Sequence, residues 1–118
     1  MPRRIYVPHA AEWHPDHQAS LEILQRALAG RSFSTPEILS YEVWTPLTVC
    51  DLVDDITCVW PHKLRAIRCY GSQLRHFRYD RAIQGLNRYR GELGAHCRYG
   101  EAFHYEAVQA SQEDTACA

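Results

Sequence analysis

The sequence has little excess charge of either sign, no closely paired cysteines and no long apolar run. Its 118 residues hold 13 Lys plus Arg against 14 Asp plus Glu, a formal charge of −1. A chain so close to neutral has no large positive field, which argues against binding nucleic acid or acidic lipid by bulk electrostatics. No stretch approaches the roughly 20 apolar residues that a membrane helix requires. The opening Met1-Pro2-Arg3-Arg4-Ile5-Tyr6-Val7-Pro8 has only a short apolar run at Ile5-Tyr6-Val7, whereas a signal peptide needs a longer one. The expectation is a soluble, cytoplasmic protein with no nucleic-acid and no membrane partner. Cys50, Cys58, Cys69, Cys97 and Cys117 are odd in number, and none stands in C-x-x-C spacing. A disulfide framework or a four-cysteine zinc site needs closer pairing, so they read as reduced thiols in small core or surface positions. Internal repeats and low-complexity stretches are absent.

What is present is ordinary globular material. Hydrophobic residues make up 46% and charged residues 23%, which excludes a disordered tail as the whole chain. The length suits one domain, and residues 1–110 are expected to form it, with a flexible tail over 111–118. Ile5-Tyr6-Val7, ended by Pro8, predicts a strand. His9 to Trp13 reads as a loop, and Leu21, Leu24 and Leu28 set a helical spacing from about Asp16. Gly30 is its expected stop, followed by a polar loop over Arg31 to Pro36. Ile38 to Trp44 predicts a second strand, closed by Pro46, and Ile56 to Val59 a third. Pro61 suits the first turn of a helix running to about Arg75, with Leu64, Ile67 and Leu74 on one face. Tyr79, Ile83, Leu86 and Leu93 predict another, ended by Gly94, while Tyr99 to Tyr105 reads as strand or loop. Alternating strands and helices favour an α/β layer of a few mostly parallel strands with covering helices. Three strands make a thin sheet whose faces and edge invite further polypeptide.

The densest chemistry lies in Glu12-Trp13-His14-Pro15-Asp16-His17. It follows a predicted strand and opens a predicted helix, where α/β proteins bind ligands. Imidazole is the commonest neutral metal ligand near physiological pH, and a carboxylate nearby can orient a ring by accepting its N–H. The spacing therefore reads either as a zinc or other divalent-metal site or as a helix-start motif, with Asp16 favoured by the helix dipole. Two histidines are fewer ligands than a catalytic zinc needs. His9 or Glu12 would have to supply a third from this segment, and a small metal-binding protein using His9, His14 and His17 is one reading.

Val7-Pro8-His9, with Glu12-Trp13-His14-Pro15-Asp16-His17-Gln18-Ala19, resembles the second histidine motif of the LmbE-like, or PIG-L, family of metal-dependent N-deacetylases. Tyr41-Glu42-Val43-Trp44-Thr45-Pro46 resembles the family's aromatic strand. Asp54-Asp55-Ile56-Thr57 with Lys63-Leu64-Arg65-Ala66 resembles the start of a following helix. Ser72-Gln73-Leu74, Asn87-Arg88-Tyr89-Arg90-Gly91 and Tyr99-Gly100-Glu101-Ala102-Phe103 resemble its closing segments. The resemblance spans about residues 5 to 106. It implies a partial Rossmann-like layer, with Zn2+ or another divalent metal as cofactor and an N-acetylated amino sugar as substrate. His17 would be the metal ligand. His14 would stabilise the oxyanion as an imidazolium, and Asp16 would hydrogen-bond a histidine ring, His14 first, fixing its tautomer. The family's A-H-P-D-D-E-type motif has no counterpart here. The implied object is the carboxy-terminal half of the domain, inactive alone and completed by a companion half or a homo-oligomer. The alternative is a non-catalytic remnant or binding module that docks a partner chain or a sugar.

Other features read as structural. Arg75-His76-Phe77-Arg78-Tyr79-Asp80-Arg81 and Arg88-Tyr89-Arg90 interleave arginine with aromatics, as single-strand binders do, but in a neutral chain they read as a solvated helix face. In the family reading an arginine there would instead meet a sugar or an acidic aglycone. Glu101 reads as a partner for an arginine. Asp54 and Asp55, adjacent on a strand, would point to opposite faces.

Overall fold

β-Branched and aromatic side chains fit a pleated, half-buried surface, and Ile5-Tyr6-Val7 forms the middle of the first strand, β1 (Arg4–Pro8). In the computed structural model, which describes residues 2–30 and 35–108, β1 is followed by α1 (Pro15–Leu28), β2 (Glu37–Tyr41), β3 (Leu52–Asp55) and α2 (Trp60–Arg68). Then come α3 (Gly71–Leu74), α4 (Tyr79–Arg90), a π-helical turn (Gly91–Ala95) and β4 (Gly100–Glu106). The expected tail, 111–118, and most of the expected loop from Arg31 lie outside the described residues. Among the described residues no helix is long and apolar enough to cross a membrane.

The four strands join in the order β1-β2-β4-β3. β1 runs parallel to β2, with Ile5 opposite Ile38, while β3 runs antiparallel to β4, with Val53 opposite Ala102. The fold is α/β with a mixed sheet, which corrects the expectation of mostly parallel strands. Alternation of elements predicts direction only when one helix carries each crossover. Here α2, α3 and α4 all intervene between β3 and β4, and β4 returns against its neighbour.

The chain divides into two compact units, Met1–Thr45 with His104–Ala118, and Pro46–Phe103. In the first, Val7, Ile38 and Leu21 are buried together, with Leu24, Leu28 and Val108 packed against them. The Leu21, Leu24, Leu28 stripe predicted from spacing is thus the buried face of α1, and Gly30 follows it in a left-handed conformation, φ +71°, which suits a helix stop. In the second unit the core is Ile56, Trp60, Ile83 and Tyr99, flanked by Leu64, Ile67, Tyr79 and Leu86. The rings of Trp60 and Tyr99 stack with centroids 4.4 Å apart.

Element ends differ from the sequence reading for local reasons. The third strand is Leu52–Asp55 rather than Ile56 to Val59. The Asp55 carboxylate accepts the Thr57 N–H at 2.9 Å, and the Val59 N–H bonds the Ile56 carbonyl, so these residues turn. α2 stops at Arg68 instead of Arg75, after which a single turn, α3, starts at Gly71. Leu93, expected on the α4 face, lies in the π-helical turn and is exposed. The arginine-rich stretches are engaged within the fold. Arg78 grips the buried Asp80 carboxylate through two contacts of 3.1 and 2.9 Å, and Arg90 donates to the Leu47 carbonyl at 2.8 Å. Glu101 pairs with Lys63, not an arginine, at 3.1 Å.

Two glycines separate packing from backbone entropy. A Cβ at Gly91 would lie 2.7 Å from the Cys97 carbonyl oxygen and 2.8 Å from the Gly100 nitrogen, both backbone atoms unable to swing away. A Cβ at Gly85, inside α4, would meet nothing within 4 Å. Gly91→Ala is expected to destabilise by about 1–3 kcal/mol, and Gly85→Ala to stabilise by about 0.5–1 kcal/mol, both read by urea denaturation.

Candidate functional site

The first unit gathers its histidines in the short link between β1 and α1. Pro15 takes the first helical position, where its missing N–H is not needed. His14 is therefore the N-cap, with extended backbone (φ −81°, ψ 129°), and its Nδ1 accepts the Asp16 backbone N–H at 3.2 Å. One turn on, His17 brings its ring centroid to 5.0 Å from that of His14, tilted by 37°. The pairing expected of an i, i+3 spacing is formed. The His17 side chain is 28% exposed, neither sealed in apolar core nor turned out to bulk water.

Asp16 behaves differently from the role the resemblance implies. Its carboxylate is 90% exposed and lies 3.9 Å from His14 Nδ1. The hydrogen bond to the ring comes from the Asp16 main chain instead. With Nδ1 accepting in this geometry, Nε2 is the ring nitrogen left to donate. An imidazolium would need Nδ1 as a donor too, and would give up this cap. The Asp16 carboxylate still favours the positive end of α1.

Glu12 organises the rest. Its side chain is completely buried. One carboxylate oxygen, Oε1, accepts three successive backbone N–H groups, from Val43 at 2.9 Å, Trp44 at 2.8 Å and Thr45 at 2.9 Å. Such a run of N–H groups forms a small anion-binding concavity. The second strand ends at Tyr41 rather than Trp44 for this reason: the amides that would extend a ladder turn to Glu12 instead. His9, also buried, contacts the Thr45 carbonyl through Nε2 at 2.7 Å. The Glu12 carbonyl accepts the Gln18 side-chain amide at 2.6 Å, tying the loop to α1. Burial pushes the Glu12 carboxyl up, but the three backbone N–H groups, helped by His17, outweigh it and hold the group below its ordinary range.

The other oxygen, Oε2, is different. It faces His17 Nδ1 at 3.5 Å, and both atoms are buried without a hydrogen-bond partner among the described residues. An imidazole beside a buried carboxylate is the donor chemistry that a divalent cation takes, so His17 fits as one ligand. His9 turns its Nε2 to the Thr45 carbonyl and lies 3.6 Å from the other carboxylate oxygen, Oε1. Among the described residues no three His, Cys, Asp or Glu side chains stand together as a group able to hold a metal ion. Trp13 completes the surroundings. It is 70% exposed, yet fixed edge-on against Trp44 and His14, with centroids 6.2 and 6.3 Å apart.

Sequence reasoning noticed Glu12 only as a possible third ligand and missed its anchoring role. The available signal was a lone acid after two alanines, two positions before the first histidine of H-P-D-H. What it binds is backbone 31 to 33 residues away, and no side-chain pattern announces backbone donors.

Comparison with known proteins adds a fold. No protein-family model and no curated protein matches the sequence. The solved structure of the conserved protein TT1542 from Thermus thermophilus is similar at TM-score 0.75 and 24% identity, over 92% of this chain and 53% of that one. GalB, the 4-carboxy-2-hydroxymuconate hydratase from Pseudomonas putida, is similar at TM-score 0.67 and 19% identity, over 94% of this chain and 55% of that one. The chain spans about half the length of each.

Glu12→Ala leaves three backbone donors without their acceptor and is expected to destabilise the chain by roughly 3 kcal/mol; Glu12→Gln keeps the acceptor and should lose less. Because the folded carboxyl is held below its ordinary 4.5, its stabilisation is complete above that value and is lost as the pH falls through the lower folded value. Thermal melts from pH 7 to pH 3 should therefore fall less steeply for Glu12→Gln than for the wild type.

Proposed function

We propose that the chain is the carboxy-terminal half of an LmbE-like metal-dependent N-deacetylase domain, contributing a partial Rossmann-like layer and acting on an N-acetylglucosamine-type amide. The observation that carries this reading is the H-P-D-H segment at the start of α1, just past the carboxyl end of parallel strand β1, with its two rings 5.0 Å apart. His17 would be this chain's ligand to Zn2+ or another divalent metal, the remaining ligands coming from companion polypeptide. Bound there, such a metal supplies Lewis-acid polarisation of the amide carbonyl and activation of water.

The chain's own residues do the rest. His14, with its proton on Nε2, donates to the carbonyl oxygen as negative charge develops there. The Asp16 backbone N–H holds that ring in its tautomer, and the positive end of α1 adds to the field felt by the oxyanion. The exposed Trp13 ring offers an apolar face to one side of a pyranose.

One observation favours a second reading. The neighbour at TM-score 0.67 is a hydratase. Hydration of a conjugated double bond and hydrolysis of an amide both add water at a trigonal carbon whose displaced electrons move onto a carbonyl or carboxyl oxygen, and an N–H donor beside a divalent metal would serve either.

The test mixes the chain with a companion polypeptide carrying an A-H-P-D-D-E-type segment and measures acetate released from an N-acetylglucosaminide. Release is expected only from the mixture. In it, His17→Ala should lose metal and activity together, while His14→Ala should keep its metal and turn over about 10² to 10³ times more slowly. Equal metal loss in both variants would reverse the roles given to the two rings. Acetate release by the chain alone would overturn the half-domain reading. A mixture that hydrates a 2-hydroxymuconate but releases no acetate would favour the second.

A further inference from the structure

We propose that Glu12 is a positioning residue that sets the tautomer of His17, holding the proton on Nδ1 and leaving Nε2 with a free lone pair. Three observations converge. Oε1 of Glu12 is saturated by three backbone N–H groups at 2.8 to 2.9 Å, so the carboxylate can neither rotate nor withdraw. Oε2 is buried with no hydrogen-bond partner among the described residues. The atom it faces, His17 Nδ1 at 3.5 Å, is buried and equally without a partner. A buried carboxylate oxygen is only an acceptor, and an imidazole nitrogen is a donor or an acceptor according to its proton. A lone pair on Nδ1 would set two acceptors against each other at 3.5 Å, too close for a water to fit between them. A proton on Nδ1 satisfies both at once and directs the ring's remaining lone pair through Nε2, away from Glu12.

The proposal rests on the metal-ligand role given to His17 only for its purpose, since the tautomer is a property of this chain by itself. It also explains why a short loop holds a wholly buried acid. Replacing Glu12 by glutamine inverts the logic. The amide must aim its carbonyl at the three backbone donors, which turns its NH2 toward His17. Nδ1 then becomes an acceptor, the proton moves to Nε2, and the lone pair a metal would take is gone.

The tautomer is read directly from long-range 1H–15N correlation spectra of the 15N-labelled full chain at pH 8, with His17 assigned by its loss in His17→Ala. The wild type is expected to show the Nδ1–H pattern, and Glu12→Gln the Nε2–H pattern. An Nε2–H or doubly protonated His17 in the wild type would overturn the proposal, as would a Glu12→Gln spectrum still showing Nδ1–H. Should Glu12→Gln not fold, Glu12→Asp serves in its place: it keeps the charge but draws the second oxygen back by one methylene, and is expected to give a mixture of tautomers. An unchanged Nδ1–H signal there would count against Glu12. None of these readouts depends on deacetylation, so failure of the tautomer and failure of the enzymatic reading are told apart.

Discussion

Three amides on one carboxylate oxygen hold the candidate site together. Val43, Trp44 and Thr45 are consecutive, and their N–H groups converge on Glu12 Oε1. Folding a segment so that three successive amides point the same way forbids strand geometry, in which they alternate. The chain gives up the end of β2 to make this turn. A charged acceptor is what makes the exchange favourable, because hydrogen bonds to an ionised oxygen are about twice as strong as neutral ones. The anchor also links the turn after β2 to the loop after β1, two adjacent parallel strands. The loop carrying the histidines is thereby fixed at its middle by Glu12, at its start by His9 on Thr45, and at its end by the Glu12 carbonyl and Gln18.

Much of the first unit was legible from residue order. Ile5-Tyr6-Val7 is strand, Leu21, Leu24 and Leu28 face a core, and Gly30 ends α1 through a positive φ. These features depend on periodicity and on the conformational freedom of single residues, both written locally. The elements that shifted depend on partners that periodicity does not register. Val43 and Trp44, β-branched and aromatic, read as the end of a strand, but their amides and that of Thr45 are claimed by Glu12. Ile56 to Val59 reads as strand too, yet Asp55 captures the Thr57 amide and starts a turn. In each case a side-chain carboxylate competes with a sheet neighbour for a backbone donor. Propensity scales, which weigh each residue alone, miss that competition.

The site was legible in the same uneven way. H-P-D-H located the rings, because a proline-started helix with histidines at its N-cap and third position must bring them to one end. The partners of the rings were not legible. Asp16, nearest in sequence, reads as the carboxylate that orients His14, but a residue in the first turn points its side chain outward while its amide points back along the axis. The main chain makes the contact and the carboxylate remains in water. Glu12 reads as loop, and its place two residues before His14 gives no hint of a partnership with His17. The helix that starts at Pro15 sets His17 against Glu12.

The result is that two identical side chains, one turn apart, acquire opposite chemistry. His14 Nδ1 meets an amide hydrogen, so it must accept, and its outward nitrogen carries a proton to donate. His17 Nδ1 meets a carboxylate oxygen, and its outward nitrogen is left to accept. With ring centroids 5.0 Å apart, one donor and one acceptor stand side by side at the start of α1. Exchanging the two partners would exchange the two roles. Neither ring is set by its own identity; each takes the place of its proton from whether backbone or carboxylate stands behind it. For that reason the buried Glu12 and the Asp16 amide matter as much to the chemistry as the rings they hold.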